Sequence, residues 1–422
     1  MTSETQVQSR RAIEALRAGV PNQDAVRALG SSQPSLELKF RQQLKTAVED
    51  FSQGKQASGM LVTGGFGSGK SHLLERFQHL AIDENFVCSK VVISKETPLY
   101  DLTKLYRTAV ESAAIPGRRG SAMYNITSGI RFDSPAYADF YKWVSKSQLS
   151  PQFAATVYIY EYGKGDDEIR DRVIRFWSGD PIGVTELRRC LKELGEAASY
   201  KISTVPVKEL ALQRYSFTPQ LIVAAGYSGW VLLIDEVELI GHYSLKQRAR
   251  SYAELARWLG RLEGFGFPGL TCVLTITDDF EAAVLDDRND EEKIPAKFRG
   301  DGYQADALLA RQAEKGMDLI RRDKTRLAEP DSGTLLETFQ KLRSVYAAAY
   351  GWEPPADWGE LDLTHRTMRQ HVRRWITEWD LRRLYPDYKP DIEIGVLRQD
   401  YTENPDLESP SEDSSEDKES LT

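Results

Sequence analysis

The sequence predicts an α/β fold built around a parallel sheet. The apolar run Gly59–Thr63 is followed by a glycine-rich loop, by an amphipathic helix over Lys70–Ala81 and by a second apolar run over Phe86–Ser94. Further apolar runs at Gly229–Ile234 and Leu270–Thr277 alternate with helical segments. A helix between two strands returns the chain to the end of the sheet where the first strand began, so we expect these strands to be parallel.

Helical periodicity predicts helices on both sides of these strands. An N-terminal helical segment at 1–55 contains two short helices, broken at Gly19-Val20-Pro21, and a third helix over Leu36–Phe51. The other predicted helices cover Leu99–Ala114, Ser244–Gly264, Tyr303–Arg322, Gly333–Tyr350 and Thr364–Leu384, and a short strand is predicted at Lys324–Ala328.

The composition is that of a globular protein that does not associate with a membrane. Of the 422 residues, 41% are apolar and 28% are charged. No apolar run approaches the ~20 residues that cross a bilayer, and the N-terminus lacks the apolar core of a signal peptide. We therefore expect a cytoplasmic protein. The cysteines form no metal-binding spacing and are expected to be buried thiols; they are Cys88, Cys190 and Cys272.

The net charge of −8 is concentrated at the C-terminus. The tail Glu403–Thr422 carries eight acidic residues and one Lys, so the rest of the chain is nearly neutral. A Ser-, Pro- and acid-rich segment buries too little apolar surface to fold, and this tail is expected to be disordered. The overall acidity is therefore no argument against binding of nucleic acid.

The segment Gly64–Ser71 (GGFGSGKS) has the pattern G-x-x-x-x-G-K-[ST] of a phosphate-binding loop. Glycines let backbone N–H groups turn inward around an anion, and the free N–H groups of the following helix favour phosphate. Lys70 is expected to bind the β- and γ-phosphates of ATP or GTP, and the Ser71 hydroxyl to bind Mg²⁺. The flanking strand and helix support this interpretation over a chance glycine-rich turn. The predicted nucleotide-binding residues are Gly64, Gly65, Phe66, Gly67, Ser68, Gly69, Lys70, Ser71 and His72, with the His72 side chain expected to pack or to face solvent.

Two adjacent carboxylates end the apolar strand in Trp230–Glu238 (WVLLIDEVE). Such a pair is costly unless it lies at the edge of the sheet where parallel strands end, which is also where ligands bind. Asp235 is expected to hold Mg²⁺, directly or through water, and Glu236 to polarise the attacking water. Ordinary solvated acids at a strand end are the alternative. The Asp-Glu pair favours hydrolysis over binding alone.

Arginines in the C-terminal half are candidates for contacts with the γ-phosphate. The predicted helix Thr364–Leu384 carries Arg366 and Arg369 on one face, and either could reach the nucleotide from a lid. Arg321 and Arg322 precede the short strand and could act on the nucleotide of a neighbouring subunit. The same helix could instead contact DNA phosphates.

These motifs define a P-loop NTPase core with a helical insertion. Lys70 and Asp235 are 165 residues apart, which is long for a compact ATPase and indicates the insertion. The expected units are an N-terminal helical segment at 1–55, a core at 56–302 with the insertion at about 117–220, the end of the core with a helical lid at 303–400, and the acidic tail at 403–422.

The chain resembles AAA+ ATPases of the origin-recognition/Cdc6 kind and, more closely, the BREX-system ATP-binding protein family of the BrxD kind. The resemblance rests on the phosphate loop with its following SHLLERF and on four further segments: RRAIEALRAGVPNQDAVRALG at 10–30, VVISKETPLYDLTKLY at 91–106, GYSGWVLLIDEVE at 226–238 and SVYAAAYGW at 344–352. It implies a role in bacterial phage defence, beside a large DNA helicase, and ATP as the nucleotide. In AAA+ proteins the strand after the acidic one ends in a polar residue that helps to orient the water; Thr277 is the first candidate here and Asp278 the second. A polar residue that only caps the strand is the alternative.

The favoured hypothesis is an ATP-driven, oligomeric ATPase that acts with double-stranded DNA or with a partner helicase. A rival hypothesis is a nucleotide-dependent switch or scaffold that signals to an effector with little turnover. A third, a non-hydrolysing interaction module, is disfavoured by the Asp-Glu pair.

Overall fold

The structure is a computed structural model that describes residues 3–20, 22–118, 120–163, 165–300, 304–356, 367–387, 401, 403 and 404. The fold is α/β, with one parallel sheet among these residues and helices around it. Its five strands are β1 (Met60–Thr63), β2 (Val87–Val92), β3 (Trp230–Asp235), β4 (Leu270–Ile276) and β5 (Lys324–Arg326).

The strand order is β2-β3-β4-β1-β5, and every pairing is parallel. The central strands β1, β3 and β4 are buried along their whole length, which explains why each is a continuous apolar run. Thr63 pairs with Ile276, and Val92 pairs with Asp235, so the strands end at nearly the same level. We call this end the carboxyl edge: it is formed by Thr63, Val92, Asp235, Ile276 and Arg326.

Three helices precede the sheet, and eight lie between β1 and β3 within the described residues. The break predicted at Gly19-Val20-Pro21 is confirmed, because the first helix ends at Ala18 and the second begins at Gln23. These helices are α1 (Ser3–Ala18), α2 (Gln23–Leu29), α3 (Pro34–Ser52), α4 (Lys70–Asp83), α5 (Leu102–Glu111), α6 (Ala122–Ser128), α7 (Pro135–Lys146), α8 (Pro151–Tyr162), α9 (Asp167–Ser178), α10 (Val184–Glu193) and α11 (Val207–Ala224).

The remaining helices follow β3. They are α12 (Leu245–Trp258), α13 (Asp290–Gly300), α14 (Gln304–Arg322), α15 (Ser332–Tyr350) and α16 (Met368–Leu384). A 3₁₀ turn over Val237–His242 follows β3 directly, and a π-helical turn covers Glu281–Asp286.

The prediction from sequence missed one helix and misplaced the ends of others. Helix α13 carries Pro295 in its interior, which interrupts the helical pattern in the sequence. Helix α12 was expected to reach Gly264 but ends at Trp258. Helix α16 begins at Met368, after an N-cap at Thr367 that forms a capping box with Gln370. The predicted start at Thr364 lies outside the described residues.

The helices between β2 and β3 do not form a core of their own. Phe153, Trp177 and Phe217 from these helices pack in the same buried cluster as Trp230 of β3. A second cluster lies on the other face of the sheet, under α3 and α4. A third joins α1 and α2 to α15 and α16 and includes Trp375.

Two predicted absences can be compared with the described residues. Each of the three cysteines is free and buried, as expected. No helix among the described residues combines the length and apolarity of a membrane span.

Candidate nucleotide site

The phosphate loop lies at the carboxyl edge between β1 and α4. Gly67 and Gly69 have φ of 78° and 108°, in the left-handed region that only glycine adopts without strain. A Cβ at Gly69 would have no heavy atom within 4 Å, so the backbone there faces open space. Helix α4 begins at Lys70 without a side-chain cap, which leaves its first N–H groups free for an anion.

Lys70 is buried, with 7% of its surface exposed, and its ammonium group turns back onto the loop. The Nζ atom donates to the carbonyl of Gly64 at 2.9 Å and to that of Gly65 at 3.4 Å. It also lies 3.6 Å from the Glu238 carboxylate. The cation therefore already sits under the loop, where a phosphate would replace the carbonyl oxygens as its partner.

The loop residues fit a nucleoside triphosphate with Mg²⁺. The Ser68 hydroxyl is buried and has no hydrogen-bond partner among the described residues, so it is available to a phosphate oxygen. Ser71 lies in the first turn of α4 and is half-buried beside the cleft. Hydroxyl and carboxylate oxygens are ligands that Mg²⁺ accepts, and Ser71 and Asp235 offer one of each.

Asp235 ends β3 and is 4% exposed. Its Oδ1 accepts from the hydroxyl of Thr275 on the neighbouring strand at 2.5 Å and from the backbone N–H of Glu236 at 3.1 Å. These contacts fix the carboxylate at the carboxyl edge. The burial of Asp235 is inconsistent with an ordinary solvated acid at a strand end.

Glu236 has a left-handed backbone, with φ 60° and ψ 36°. This conformation is uncommon for a residue other than glycine and is frequent at functional sites. Burial raises the pKa of the Glu236 carboxyl, and the neighbouring Asp235 adds to this effect. Lys70 and Arg369 oppose the shift, which places both cations in the electrostatic neighbourhood of Glu236.

Glu238 is part of the same acidic cluster, although no role was predicted for it from sequence. Its side chain is 1% exposed, and neither carboxylate oxygen has a hydrogen-bond partner among the described residues. Burial raises the pKa of Glu238 to about 7, and Lys70 partly offsets that rise. The only sequence signal was a third acid close behind a strand-end pair, in IDEVE.

Thr277 follows β4 at the carboxyl edge and is 3% exposed. Its hydroxyl lies 2.5 Å from the hydroxyl of Tyr401. Asp278, the second candidate for the same role, instead accepts from Arg326 at 3.1 Å. Since β4 lies between β1 and β3, Thr277 is placed between the phosphate loop and the acidic pair.

Helix α16 contacts the phosphate loop through its first turn. The backbone N–H of Arg369 donates to the carbonyl of Gly67 at 3.3 Å. The Arg369 guanidinium stacks over the Phe66 ring at 5.1 Å from the centroid. A Cβ at Gly67 would lie 3.0 Å from the Thr367 hydroxyl, so glycine is also needed for this close approach. Arg366 lies outside the described residues.

The N-terminal segment closes the other side of the cleft. The cleft is open to solvent and is lined by the loop, by Gly30–Gln33, by Glu236 and by the first turns of α16. The His72 Nε2 atom lies 2.6 Å from the carbonyl of Gly30, and burial lowers the pKa of this imidazole. His72 therefore packs, as expected, and links α4 to the segment after α2.

Arg321 and Arg322 lie away from the cleft. The Arg321 guanidinium contacts Glu281 at 2.9 Å and Asp286 at 2.6 Å, and also pairs with Glu291. Arg322 is 80% exposed and pairs with Asp318 on its own helix. Neither arginine reaches the phosphate loop of its own chain, and a role toward a neighbouring subunit stays a prediction.

The family model described as "BREX system ATP-binding protein BrxC/D" matches residues 5–130 and 141–378. The chain belongs to this family. The match includes the phosphate loop, the acidic pair and the first part of α16 with Arg369. Comparisons with curated proteins and with solved structures found no significant match.

Membership in the BrxC/D family confirms the closer of the two resemblances, the one to BREX-system ATP-binding proteins. The family is one of ATP-binding proteins of the BREX system, which agrees with the phosphate loop and identifies ATP as its nucleotide. The roles of the individual site residues are not part of that description.

Proposed function

We propose that this chain is a Mg²⁺-dependent ATPase of a BREX phage-defence system. The observation that carries the proposal is the meeting of three groups at the carboxyl edge: the loop with Lys70, the strand-end pair of buried Asp235 and half-buried Glu236, and Arg369 from α16. Burial of the Asp235 carboxylate costs free energy, and a place beside a catalytic base accounts for that burial.

Each group has a separate task in hydrolysis. Lys70 leaves the loop carbonyls and binds the β- and γ-phosphates, while the backbone N–H groups of Gly67–Ser71 surround them. Ser71 and Asp235 would hold Mg²⁺, which would supply positive charge to stabilise the transferred phosphoryl group. Glu236 orients the attacking water and accepts its proton; its raised pKa makes it a stronger base than an exposed glutamate. Arg369 turns from Phe66 toward the γ-phosphate.

The fold supports an AAA+-like assembly. The strand order, read from β5 to β2, separates the loop strand β1 from the acidic strand β3 by β4. Helices α15 and α16 then form the lid that contacts the loop. In a homo-oligomer, Arg322 is a better candidate than Arg321 to reach a neighbouring nucleotide, because the carboxylates around Arg321 hold its guanidinium.

We propose further that hydrolysis is coupled to double-stranded DNA or to a partner DNA helicase. Arg373 is exposed on α16 and is available to a phosphate backbone. Arg382 and Arg383 are less available, since they pair with Glu378 and Asp380. DNA contacts of this kind make log affinity fall linearly with log salt concentration. Absence of binding to duplex DNA at low salt would remove this part of the proposal.

A nucleotide switch with little turnover is the second candidate. The direct contact of Arg369 with Gly67 favours it, because a nucleotide in the loop would move the lid without any hydrolysis. In that case the lid position, rather than product release, carries the signal to an effector.

ATP turnover by the purified full-length protein separates the two candidates. Glu236→Gln should lower kcat by about 10²–10³-fold and leave ATP binding intact, because only the general base is lost. Glu263→Gln, at an exposed glutamate, is the matched control and should be unchanged. A wild-type protein that retains ATP and turns over no faster than Glu236→Gln would favour the switch.

A further inference from the structure

The chain beyond the lid helix α16 returns to the carboxyl edge at Tyr401. This side chain is 8% exposed. Its ring packs edge-on against Phe280, at 6.2 Å between centroids, and is stacked with His242 at 6.0 Å. A Cβ at Gly241 would lie 2.8 Å from the Tyr401 ring, so the backbone of the turn after β3 leaves room for that ring.

The Tyr401 hydroxyl bridges two residues that follow β4. It donates to Asp279 Oδ1 at 2.8 Å and lies 2.5 Å from the Thr277 hydroxyl. The phenol hydroxyl of Tyr401 has one hydrogen to donate, and a carboxylate only accepts, so Tyr401 donates its hydrogen to Asp279. Thr277 must then donate its own hydrogen to Tyr401. Burial raises the pKa of the Tyr401 hydroxyl, which keeps it protonated in this role.

This arrangement decides what the Thr277 hydroxyl can offer to the nucleotide site. Its single hydrogen is engaged with Tyr401, and only its lone pairs remain. Thr277 can therefore accept a hydrogen bond from a water molecule but cannot donate one to a phosphate oxygen. A water that donates a hydrogen to Thr277 keeps its own oxygen lone pairs free for attack.

The segment is anchored on both sides of Tyr401. Arg288 donates to the Tyr401 carbonyl. The Glu403 carboxylate accepts from Arg248 at 2.7 Å and from Arg288 at 3.3 Å. Arg248 is itself fixed by the buried Asp290 at 2.8 Å. The contact of Tyr401 with Thr277 is therefore part of a network of hydrogen bonds and ion pairs that joins α12 and α13 to Tyr401 and Glu403.

We propose that Tyr401 is a positioning residue of the hydrolytic site, acting by fixing the Thr277 hydroxyl as a hydrogen-bond acceptor for the attacking water. The inference rests on the proposed ATPase function and adds to it a residue that lies beyond the lid. It makes turnover depend on a segment remote in sequence from both the loop and the acidic pair.

Steady-state ATP hydrolysis by full-length Tyr401→Phe tests this role, because the variant removes one hydroxyl and keeps the ring. We expect kcat to fall about tenfold, the effect of one hydrogen bond of typical strength, with KM for ATP within about twofold. Tyr385→Phe, at a tyrosine that is 60% exposed, is the control and should match wild type.

A double-variant comparison distinguishes positioning from packing. Thr277→Val should lower kcat by at least as much as Tyr401→Phe, and the double variant should be no slower than Thr277→Val, because Tyr401 acts through Thr277. Losses that multiply in the double variant would overturn the inference. So would a Tyr401→Phe protein with unchanged kcat, or with raised KM alone.

A second variant tests the anchor without touching Tyr401. Glu403→Gln weakens the pairs with Arg248 and Arg288 and should lower kcat in the same direction by a smaller factor. If the wild type hydrolyses ATP and Tyr401→Phe has the same kcat, only this inference is contradicted. A wild type without ATP turnover contradicts the proposed function itself.

Discussion

The phosphate loop Gly64–Ser71 and the acidic strand end Asp235–Glu238 face the same cleft, but they are built differently. The loop is made of backbone: its shape comes from glycines with positive φ, and its contacts are those of N–H and C=O groups. The acidic strand end depends on side chains, and those of Asp235 and Glu238 are only 4% and 1% exposed. The Lys70 side chain contacts both, through Gly64 and Glu238.

The difference indicates which property each half controls. Backbone dipoles do not titrate, so phosphate binding by the loop is expected to depend little on pH. Buried carboxylates are desolvated, so their protonation and the stability of the fold are linked. We expect variants in the loop to change ATP affinity, and variants in the acidic half to change turnover and pH dependence.

Lys70→Ala should give the largest effect on affinity. Loss of a charge-assisted contact with the phosphates is worth about 1.5–3 kcal/mol, which raises Kd for ATP about 10–100-fold. Isothermal titration of ATP with Mg²⁺ measures it, with Lys45→Ala, at an exposed lysine of α3, as the control. Native affinity in Lys70→Ala would remove the nucleotide site from this loop.

Glu238→Gln should make the protein more stable at alkaline pH. The pKa of Glu238 in the folded state is raised from 4.5 to about 7, so between these values the folded state binds more protons than the unfolded state. The free energy of unfolding therefore falls as pH rises through this window, by an amount on the order of 3 kcal/mol above pH 7. Glutamine is neutral and does not undergo this loss.

Urea unfolding at pH 5 and pH 8 measures the effect of Glu238→Gln. The variant should exceed wild type clearly at pH 8 and by much less at pH 5. Glu168→Gln, at a side chain that is 81% exposed, serves as the control. Equal stabilities of wild type and Glu238→Gln at pH 8 would show that Lys70 fully compensates the buried carboxylate.

Gly69→Ala should give the smallest effect and sharpen the comparison most directly. A non-glycine residue at φ 108° costs about 1–3 kcal/mol, and its Cβ would point into the space where phosphates bind. Gly54→Ala is the matched control, since Gly54 has φ of 68° and equally open surroundings in a surface turn. Both variants should lose stability, and only Gly69→Ala should weaken ATP binding, about tenfold.

Sequence patterns predicted the strands closely. Each strand from β1 to β4 lies within two residues of its predicted ends. β1, β3 and β4 are buried runs bounded by polar residues or glycine, whereas β2 is apolar mainly at its ends and is only partly buried. Helix α13 was missed for a tertiary reason as well as for its proline. Asp290, in its first turn, is fully buried by an ion pair with Arg248, which is 42 positions away and cannot be recognised by spacing.

Part of the candidate site was predicted from sequence. The parts formed by consecutive residues were found, and the parts formed by residues far apart in the chain were not. The loop and the Asp235-Glu236 pair were found because consecutive residues form them. Among the arginines, the structure brings Arg369 to the loop and places Arg321 in a carboxylate cluster elsewhere. The spacing of residues predicts which face of a helix an arginine occupies, but it does not predict which surface that face packs against.

The sequence by itself determined the α/β class, the phosphate loop, the strand-end acids and the family, because each is recorded in contiguous residues. Only the tertiary structure decided the strand order that places Thr277 between loop and acids, the burial of Glu238 against Lys70, and the return of Tyr401 to the carboxyl edge. These features depend on contacts between residues at least 40 positions apart, such as Trp230 with Leu270, and in most cases more than a hundred. Such contacts arise when whole helices and strands pack together, and they leave no periodic pattern in the local sequence.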